Sequence, residues 1–322
     1  MQYGTIPYVD KPVSRIFFGT AMPPIMYGKD GTEWFEAALA NGINAFDMAR
    51  NYLYAEKSVG DWIKKRGHYE DLVLLSKCGH PSNFGRKRVN AKDMRKDLEK
   101  SLQLLGVDHI DIYLLHRDDP EVPVAEIVET FNAMHNEGKI GAFGGSNWTV
   151  ERIQEANAYA KEHGLIPFTV SSPNFGLADQ VEDPWGGGCV TISGPANADA
   201  RAWYKQEDMP VIAYSSLGRG FFSGRVKSDD PEGAKDVLDG PALKGYAYPE
   251  NFERLRRCEE LAQKKNTTVT AIATKYIFVR GLNVFAVMSA AKTEHLSSNA
   301  AALDLDLSEE EADYLDLVRD TL

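Results

Sequence analysis

The chain has 322 residues, of which 43% are hydrophobic and 26% are charged, and its mean hydropathy is -0.36. This composition is typical of a soluble globular protein and excludes an intrinsically disordered chain. The formal net charge of -11 and the pI near 5.2 argue against general nucleic-acid binding, although a local basic pocket for a phosphate group remains possible.

The cysteines and the apolar segments bear on the compartment. The three cysteines form no CxxC pair, and an odd number in a chain of this size supports no disulfide framework. The first 15 residues contain no apolar signal-peptide core. The most apolar late stretch, residues 276–291, is interrupted by Arg280 and Asn283 and is therefore not a spanning helix. We expect a cytoplasmic protein that does not bind membranes.

Short apolar runs rich in β-branched and aromatic residues recur along the chain and predict eight strands. They lack the strict alternation of half-exposed strands, which is typical of strands buried on both faces of a parallel sheet. The predicted strands span residues 15–20, 44–48, 72–78, 111–116, 141–146, 168–173, 210–215 and 283–289.

Amphipathic segments predict helices between these strands. In the segment 91–106, apolar side chains fall on one stripe, and Gly106 ends the helix. In the segment 147–164, Thr149 is the expected N-terminal cap and Gly164 closes the helix.

Eight strands that alternate with helices, without a break in composition, predict an α/β fold: one (β/α)8 barrel domain over residues 1–322. A doubly wound dinucleotide-binding sheet is the alternative, but neither G-x-G-x-x-G nor G-x-x-x-x-G-K-[ST] follows a predicted strand. Long connections follow the sixth and seventh strands. On a barrel they lie at the carboxyl ends of the strands, where long loops usually serve binding.

Polar side chains stand at the ends of these otherwise apolar strands. Taken singly, each has a common structural explanation, such as a helix cap, a solvated lysine, a hydrogen-bonded histidine or a packed aromatic ring. Their joint placement at the carboxyl ends of successive barrel strands favours an active site. The residues are Asp47, Lys77, His116, Ser146 and Asn147, with Tyr52 five positions after Asp47 in the following loop.

These residue types suit the reduction of a carbonyl group. Addition of hydride leaves an alkoxide that needs a proton, and a free phenol with a pKa near 10 donates it poorly at neutral pH. A cationic lysine beside the phenol lowers that pKa, and a carboxylate keeps the buried lysine charged. An imidazole at the same place orients the substrate oxygen.

Six segments, in the correct order along nearly the whole chain, resemble the aldo-keto reductase family: 46–60, 73–79, 111–120, 144–148, 211–224 and 287–303. The resemblance implies a (β/α)8 barrel that binds a nicotinamide dinucleotide, NADPH more often than NADH, without a Rossmann domain. It assigns Tyr52 as the general acid, Lys77 as its activating cation, Asp47 as the partner of Lys77, and His116 as the orienting residue.

The resemblance also implies a set of cofactor-binding residues. Those for the nicotinamide half are Gly19, Thr20, Ser146, Asn147, Ser172 and Tyr214. Those for the pyrophosphate are Ser215, Leu217 and Arg219, and those for the adenosine end are Ser289, Lys292, His295 and Asn299. Trp148 follows a strand end and is expected to line the substrate pocket with Tyr52 and His116.

The chain departs from the family pattern at three of these places. Met48 replaces a usual threonine, and Ser172 replaces a usual glutamine that contacts the carboxamide. His295 replaces a usual arginine at the 2′-phosphate, and a histidine is at most partly charged at neutral pH. Lys292 is therefore the main cation expected there, and a preference for NADPH over NADH rests on it.

Two other functions remain open. A regulatory, redox-sensing barrel would bind the dinucleotide with little turnover, which fits the departures but not the intact set of catalytic residue types. A metal-dependent hydrolase would use His116 with Asp118 and Asp119, but no H-x-H or H-E-x-x-H motif supports it, so no metal is predicted. The expected partner is a small carbonyl compound, selected by the loops 23–30, 117–122 and 174–196, and not a nucleic acid.

Overall fold

The computed structural model describes residues 1–82 and 84–322. Its strands are short, and most of them are buried along their whole length. The strands are β1 Tyr3–Gly4, β2 Val13–Ser14, β3 Ile16–Gly19, β4 Ala45–Asp47, β5 Val73–Cys78, β6 Ile110–Leu115, β7 Ile140–Ser146, β8 Val170–Ser172, β9 Val211–Ala213 and β10 Val284–Met288.

Eight of these strands form a closed barrel in the order β10-β3-β4-β5-β6-β7-β8-β9. Successive strands from β3 to β8 pair in parallel, as do β9 and β10. The predicted (β/α)8 barrel is therefore confirmed, and the doubly wound alternative was wrong. Each predicted barrel strand overlaps an observed strand whose ends differ from the prediction by at most two residues. The antiparallel pair β1–β2 was not predicted, because strands of two residues carry no readable periodicity.

Helices connect the barrel strands. The α-helices are α1 Pro23–Met26, α2 Thr32–Ala40, α3 Ala55–Arg66, α4 Ala91–Leu105, α5 Val124–Asn136, α6 Val150–Glu162, α7 Ala198–Gln206, α8 Ala234–Val237, α9 Gly240–Tyr246, α10 Pro249–Lys264, α11 Val269–Val279, α12 Glu294–Ala301 and α13 Glu309–Leu315. Short 3-10 helices occupy Pro195–Asn197, Gly218–Gly220 and Ala302–Asp304. Within the described ranges, no helix combines the length and the apolar character needed to cross a membrane.

Local signals set the ends of the two helices that the sequence predicted most clearly. The Asn90 side chain accepts a hydrogen bond from the Asp93 N–H and begins α4, and Gly106 ends it with a φ of 71°. The Thr149 hydroxyl accepts from the Arg152 N–H and begins α6, as predicted. α6 begins four residues after the end of β7, so Asn147 lies on a short connection.

Packing between the barrel and its helices determines which way the strand side chains point. Phe46 in β4 packs outward against Phe35 of α2 and Trp62 of α3, with ring centroids 5.9 and 5.3 Å away. Because successive side chains of a strand point to opposite faces, the next residue, Asp47, points to the inner face. Ser76 in β5 likewise bonds outward to α3, which turns Lys77 inward.

The described chain divides into two compact units. The first unit comprises Gln2–Ser172 and Ser289–Thr293, and it contains β1 to β8 and α1 to α6. The second unit comprises Met1, Pro173–Met288 and Glu294–Leu322, and it contains β9, β10 and α7 to α13. The single domain expected over residues 1–322 stays a prediction.

Candidate active site

The polar residues predicted at the strand ends lie where the barrel topology places them. Asp47 is the last residue of β4, Lys77 the penultimate residue of β5, and Ser146 the last residue of β7. His116 follows β6 directly. All of them belong to the first unit, at the carboxyl ends of neighbouring parallel strands, which is the face that carries barrel active sites.

Asp47 and Lys77 form a buried ion pair. Their side chains are only 6% and 4% exposed, and the Lys77 ammonium donates a hydrogen bond to the Asp47 carboxylate. The same ammonium donates to the carbonyl of Met48 at 2.9 Å, so the loop after β4 is tied to β5. Burying two charges is costly unless each is paired and hydrogen-bonded, and here both conditions are met.

Tyr52 completes this group from the loop between β4 and α3. The Lys77 Nζ lies 5.0 Å from the centroid of the half-buried Tyr52 ring. The Tyr52 ring meets the His116 ring edge-on, with centroids 5.6 Å apart. The structure therefore brings Asp47, Lys77, Tyr52 and His116 into one connected cluster.

Burial and charge act in opposite directions on the proton affinities of this cluster. Burial raises the pKa of Asp47 above its ordinary value, against the charge of Lys77. Burial alone would lower the pKa of Lys77, but the charges of Asp47 and Tyr52 raise it, so the ammonium is retained. Burial and the charge of Asp47 raise the pKa of Tyr52, and Lys77 offsets only part of that effect.

His116 is a neutral imidazole in this site. Burial, together with the charges of Lys77, His80 and Arg117, holds its pKa well below the ordinary value. Its Nδ1 is buried and has no hydrogen-bond partner among residues 1–82 and 84–322. Its backbone carbonyl accepts from the Asn147 Nδ2 at 3.3 Å. A neutral imidazole carries one N–H, so this ring can donate one hydrogen bond to a ligand oxygen.

Two residues near the cluster were missed by the sequence interpretation. The half-buried His80 ring lies edge-on to His116, with centroids 5.0 Å apart. The charge of Arg117, the residue after His116, lowers the pKa values of both Tyr52 and His116. Position 117 was considered only as part of a loop, and His80 follows a strand end by two residues, where no spacing pattern marks it.

Most predicted nicotinamide-half residues belong to the first unit, where three of them are linked. The Ser146 hydroxyl donates to the Ser172 carbonyl at 3.0 Å, and the Asn147 Nδ2 donates to the Ser146 hydroxyl at 3.1 Å. Asn147 has a φ of 63°, a left-handed conformation that asparagine tolerates better than most residues. Thr20 donates its hydroxyl to the Asp47 carbonyl at 2.8 Å. Hydrogen bonds within the protein therefore already fix the polar side chains at the ends of β3 and β7.

The predicted adenosine-end and pyrophosphate residues have more exposed surroundings. In the first unit, Ser289 donates to the Gly19 carbonyl at 2.7 Å, and Lys292 is exposed. In the second unit, Arg219 pairs with Asp239 at 2.5 Å and lies over the Trp185 ring at 4.5 Å. The remaining members of the second unit are the half-buried Tyr214, Ser215 and Leu217, the exposed His295 and the buried Asn299.

Trp148, expected in the substrate pocket, is only 1% exposed. Its ring packs against Phe168, with centroids 4.9 Å apart, and under the Arg152 guanidinium at 5.2 Å. Its substrate contact stays a prediction.

The carboxylates considered as metal ligands beside His116 are engaged elsewhere. Asp118 pairs with Arg152 at 3.1 Å, and Asp119 pairs with Lys87 at 2.7 Å. Within the part of the chain that the structure describes, no group of three His, Cys, Asp or Glu side chains is arranged to hold a metal ion.

Comparisons with known proteins agree on one family. The model of the aldo/keto reductase family matches residues 15–320. Norsolorinic acid reductase A of Aspergillus parasiticus is 30% identical over 288 residues, which cover 86% of this chain and 68% of the relative. Aldo-keto reductase yakc [NADP(+)] of Schizosaccharomyces pombe is 27% identical over 315 residues, 92% of this chain and 86% of the relative.

A comparison with solved structures finds the same fold. The glycerol dehydrogenase of Gluconobacter oxydans superposes with a TM-score of 0.76 at 24% identity, over 98% of this chain and 94% of that one. A thermostable aldo-keto reductase superposes with a TM-score of 0.71 at 22% identity, over 99% of this chain and 100% of that one.

Proposed function

The chain belongs to the aldo/keto reductase family, and on this premise we propose that it reduces an aldehyde or ketone to an alcohol with a nicotinamide dinucleotide. The family relationship inferred from the sequence is thereby confirmed. The observation that carries the proposal is the connected cluster of Tyr52, Lys77, Asp47 and His116 in the first unit.

In the proposed mechanism, Tyr52 is the general acid. Its raised pKa keeps the phenol protonated at neutral pH, so the proton is available when negative charge develops on the substrate oxygen. The Lys77 ammonium stabilises the phenolate left behind, and Asp47 holds that ammonium charged. His116, as a neutral ring, donates its N–H to the substrate oxygen and orients it toward Tyr52.

The residues present fit a nicotinamide dinucleotide. When bound, this cofactor supplies the hydride. A carboxamide presents one acceptor and two donors, and the Asn147 side-chain oxygen and the Ser146 and Ser172 hydroxyls, at the ends of β7 and β8, would complement it. Asn147 is held in its left-handed conformation by the surrounding bonds, a form of local strain that is common at ligand sites.

NADPH is the cofactor we favour. Lys292 is an exposed cation at the position where the family grips the 2′-phosphate, and the relative from Schizosaccharomyces pombe bears NADP(+) in its name. Two relatives are named norsolorinic acid reductase A and aryl-alcohol dehydrogenase, and we extend to this chain only the reaction class. The cytoplasmic location and the lack of nucleic-acid and metal partners stay predictions.

The proposed function is tested by steady-state oxidation of NADPH with a panel of small aldehydes, aromatic aldehydes, ketones and sugars. We expect oxidation that depends on a carbonyl compound and yields the alcohol in equal amount. The control is the same mixture without the carbonyl. Tight cofactor binding with no oxidation on any member of the panel would contradict the proposal and favour the regulatory barrel.

Cofactor preference is tested by titrating the intrinsic protein fluorescence with NADPH and with NADH. In Lys292→Ala, we expect the Kd for NADPH to rise about tenfold, which corresponds to about 1.4 kcal/mol, while the Kd for NADH changes little. Lys64→Ala, which removes an exposed lysine of α3, is the matched control and should leave both values unchanged. Equal affinity of the wild-type protein for both cofactors would show that no 2′-phosphate site exists.

A further inference from the structure

A buried carboxylate outside the catalytic cluster has no role in the mechanism above. Glu56 lies in the first turn of α3 and is 0% exposed. An ionised carboxylate in such a place is stable only if both oxygens are paired or hydrogen-bonded. The hydrogen-bonding partners of Glu56 therefore indicate what this buried carboxylate does in the fold.

The two oxygens of Glu56 bind different parts of the first unit. Oε1 accepts hydrogen bonds from the Ser76 hydroxyl of β5 at 2.7 Å and from the Ser101 hydroxyl of α4 at 2.5 Å. Oε2 pairs with the Arg50 guanidinium at 2.5 Å. One carboxylate thus joins a barrel strand, a neighbouring helix and the loop between β4 and α3.

That loop carries Tyr52, and Arg50 precedes Tyr52 by two residues. The Arg50 N–H donates to the Lys77 carbonyl at 3.0 Å, while its side chain reaches Glu56. The backbone of Arg50 is therefore bound to Lys77, which faces the phenol, and its side chain is bound to Glu56, in the helix that follows the loop. Ser76, which also holds Glu56, is the sequence neighbour of Lys77.

Met48, at the start of the loop, is also bound to β5 through Leu75 and Lys77, but beyond Arg50 the remaining backbone hydrogen bonds of the loop do not reach that strand. The Tyr52 N–H donates to the Ala49 carbonyl at 3.0 Å, and the Ala55 N–H donates to the Tyr52 carbonyl at 2.9 Å. Leu53 has a φ of 48°, a conformation that is unfavourable for leucine and is kept only when the surroundings impose it. The Arg50–Glu56 pair supplies a longer-range constraint of this kind.

We propose that Arg50 and Glu56 are positioning residues that hold the Tyr52 phenol against the Lys77 ammonium. The inference rests on the proposed function, because it concerns the geometry of the proton donor. Proton transfer requires the donor within hydrogen-bond distance of the acceptor, and a displacement of about 1 Å can cost about 100-fold in rate. Loosening the pair lowers kcat without changing the groups that bind substrate or cofactor.

The test compares Glu56→Gln and Arg50→Met with the wild-type enzyme. We expect kcat to fall about 10- to 100-fold, with the carbonyl KM and the NADPH Kd within about threefold of wild type. Rates are divided by the number of cofactor sites found by fluorescence titration, so loss of folded protein does not count. Arg50→Lys, which keeps the ion pair, should recover most of kcat. If Glu56→Gln does not fold, the half-buried Arg50 still provides the measurement.

Asp111→Asn is the matched control for a merely structural role. Asp111 is also buried, pairs with Lys11 at 2.6 Å and accepts from the Leu74 N–H at 2.8 Å, but it lies at the opposite end of β5 and β6. We expect it to lower the free energy of unfolding while leaving kcat per site unchanged.

The inference is overturned if both Glu56→Gln and Arg50→Met keep wild-type kcat per site, if Arg50→Lys is as slow as Arg50→Met, or if the loss appears in KM or Kd instead. These outcomes differ from a failure of the proposed function. In that case Tyr52→Phe would itself retain full activity, whatever the Arg50 and Glu56 variants do.

Discussion

Replacement of Tyr52 by phenylalanine is expected to reduce kcat for carbonyl reduction by about 100- to 10,000-fold, the range usual for loss of a positioned general acid. The substitution removes the hydroxyl and keeps the ring, so the edge contact with His116 and the contact with Lys77 are preserved. The substrate oxygen then lacks its proton donor. Because neither the ring nor the polar groups of β7 change, the Kd for NADPH should remain near the wild-type value.

The measurement is steady-state reduction of the best carbonyl from the panel, with cofactor binding followed separately by fluorescence. Tyr54→Phe is a closely matched control: it removes a hydroxyl from the same loop, two residues away, from a ring that is 55% exposed. It should reduce at the wild-type rate. Undiminished turnover by Tyr52→Phe would remove the phenol from the mechanism and with it the assignment of Lys77 and Asp47.

The barrel could be predicted because its strands are buried on both faces. Their apolar character is continuous, as in β5 and β6, so each stands out from the helices around it. The same property exposes the candidate site: Lys77 in β5 is a charge inside an apolar run, and barrel topology places it beside Asp47. The sequence therefore predicts both the residue types of the candidate site and their positions on the barrel, without knowledge of any side-chain conformation.

Other features depend on packing that no local pattern encodes. Glu56 resembles an ordinary first-turn acidic residue of a helix, and only the fold shows that it is buried between Ser76 and Arg50. His80 lies edge-on to His116, a contact that no periodicity in the sequence marks. Trp148 follows a strand end, and only the fold shows that its ring packs against Phe168.

The pKa of the Tyr52 phenol is likewise only partly predictable from the sequence. Sequence reasoning identifies the cation that lowers the pKa of Tyr52, and Lys77 has that effect in the structure. It does not give the cost of burial, which depends on the three-dimensional surroundings and, together with the charge of Asp47, leaves the pKa of Tyr52 raised despite Lys77. The phenol is consequently protonated at neutral pH. The main role of Lys77 is to stabilise the phenolate that remains after Tyr52 has donated its proton.

Removal of Lys77 should affect stability as strongly as activity. In Lys77→Met, the side chain keeps its approximate length, but Asp47 remains buried without its charged partner Lys77. We expect the free energy of unfolding to fall by about 3–5 kcal/mol, as for other broken buried pairs, and carbonyl reduction to be lost. Lys65→Met, which breaks an exposed pair with Asp30, is the control and should cost no more than about 1 kcal/mol.

The loss in Lys77→Met should depend on pH with a defined sign. Burial raises the pKa of Asp47 in the folded protein above the ordinary value of 3.8, and removal of the opposing ammonium raises it further. The folded state then binds a proton that the unfolded state releases, so stability falls as the pH rises above about 4. Denaturant unfolding between pH 4 and pH 8 should show Lys77→Met diverging progressively from the wild-type protein.

The double variant Asp47→Leu/Lys77→Met separates the two roles of the ion pair. With both charges gone, no unpaired carboxylate remains, and an apolar pair of similar volume should restore most of the free energy of unfolding and remove its extra pH dependence. Carbonyl reduction should stay absent, because Tyr52 still lacks the cation that stabilises its phenolate. A double variant that is stable and inactive would mean that the pair is retained for proton transfer and not for folding. Recovery of turnover together with stability would refute the role given to Lys77.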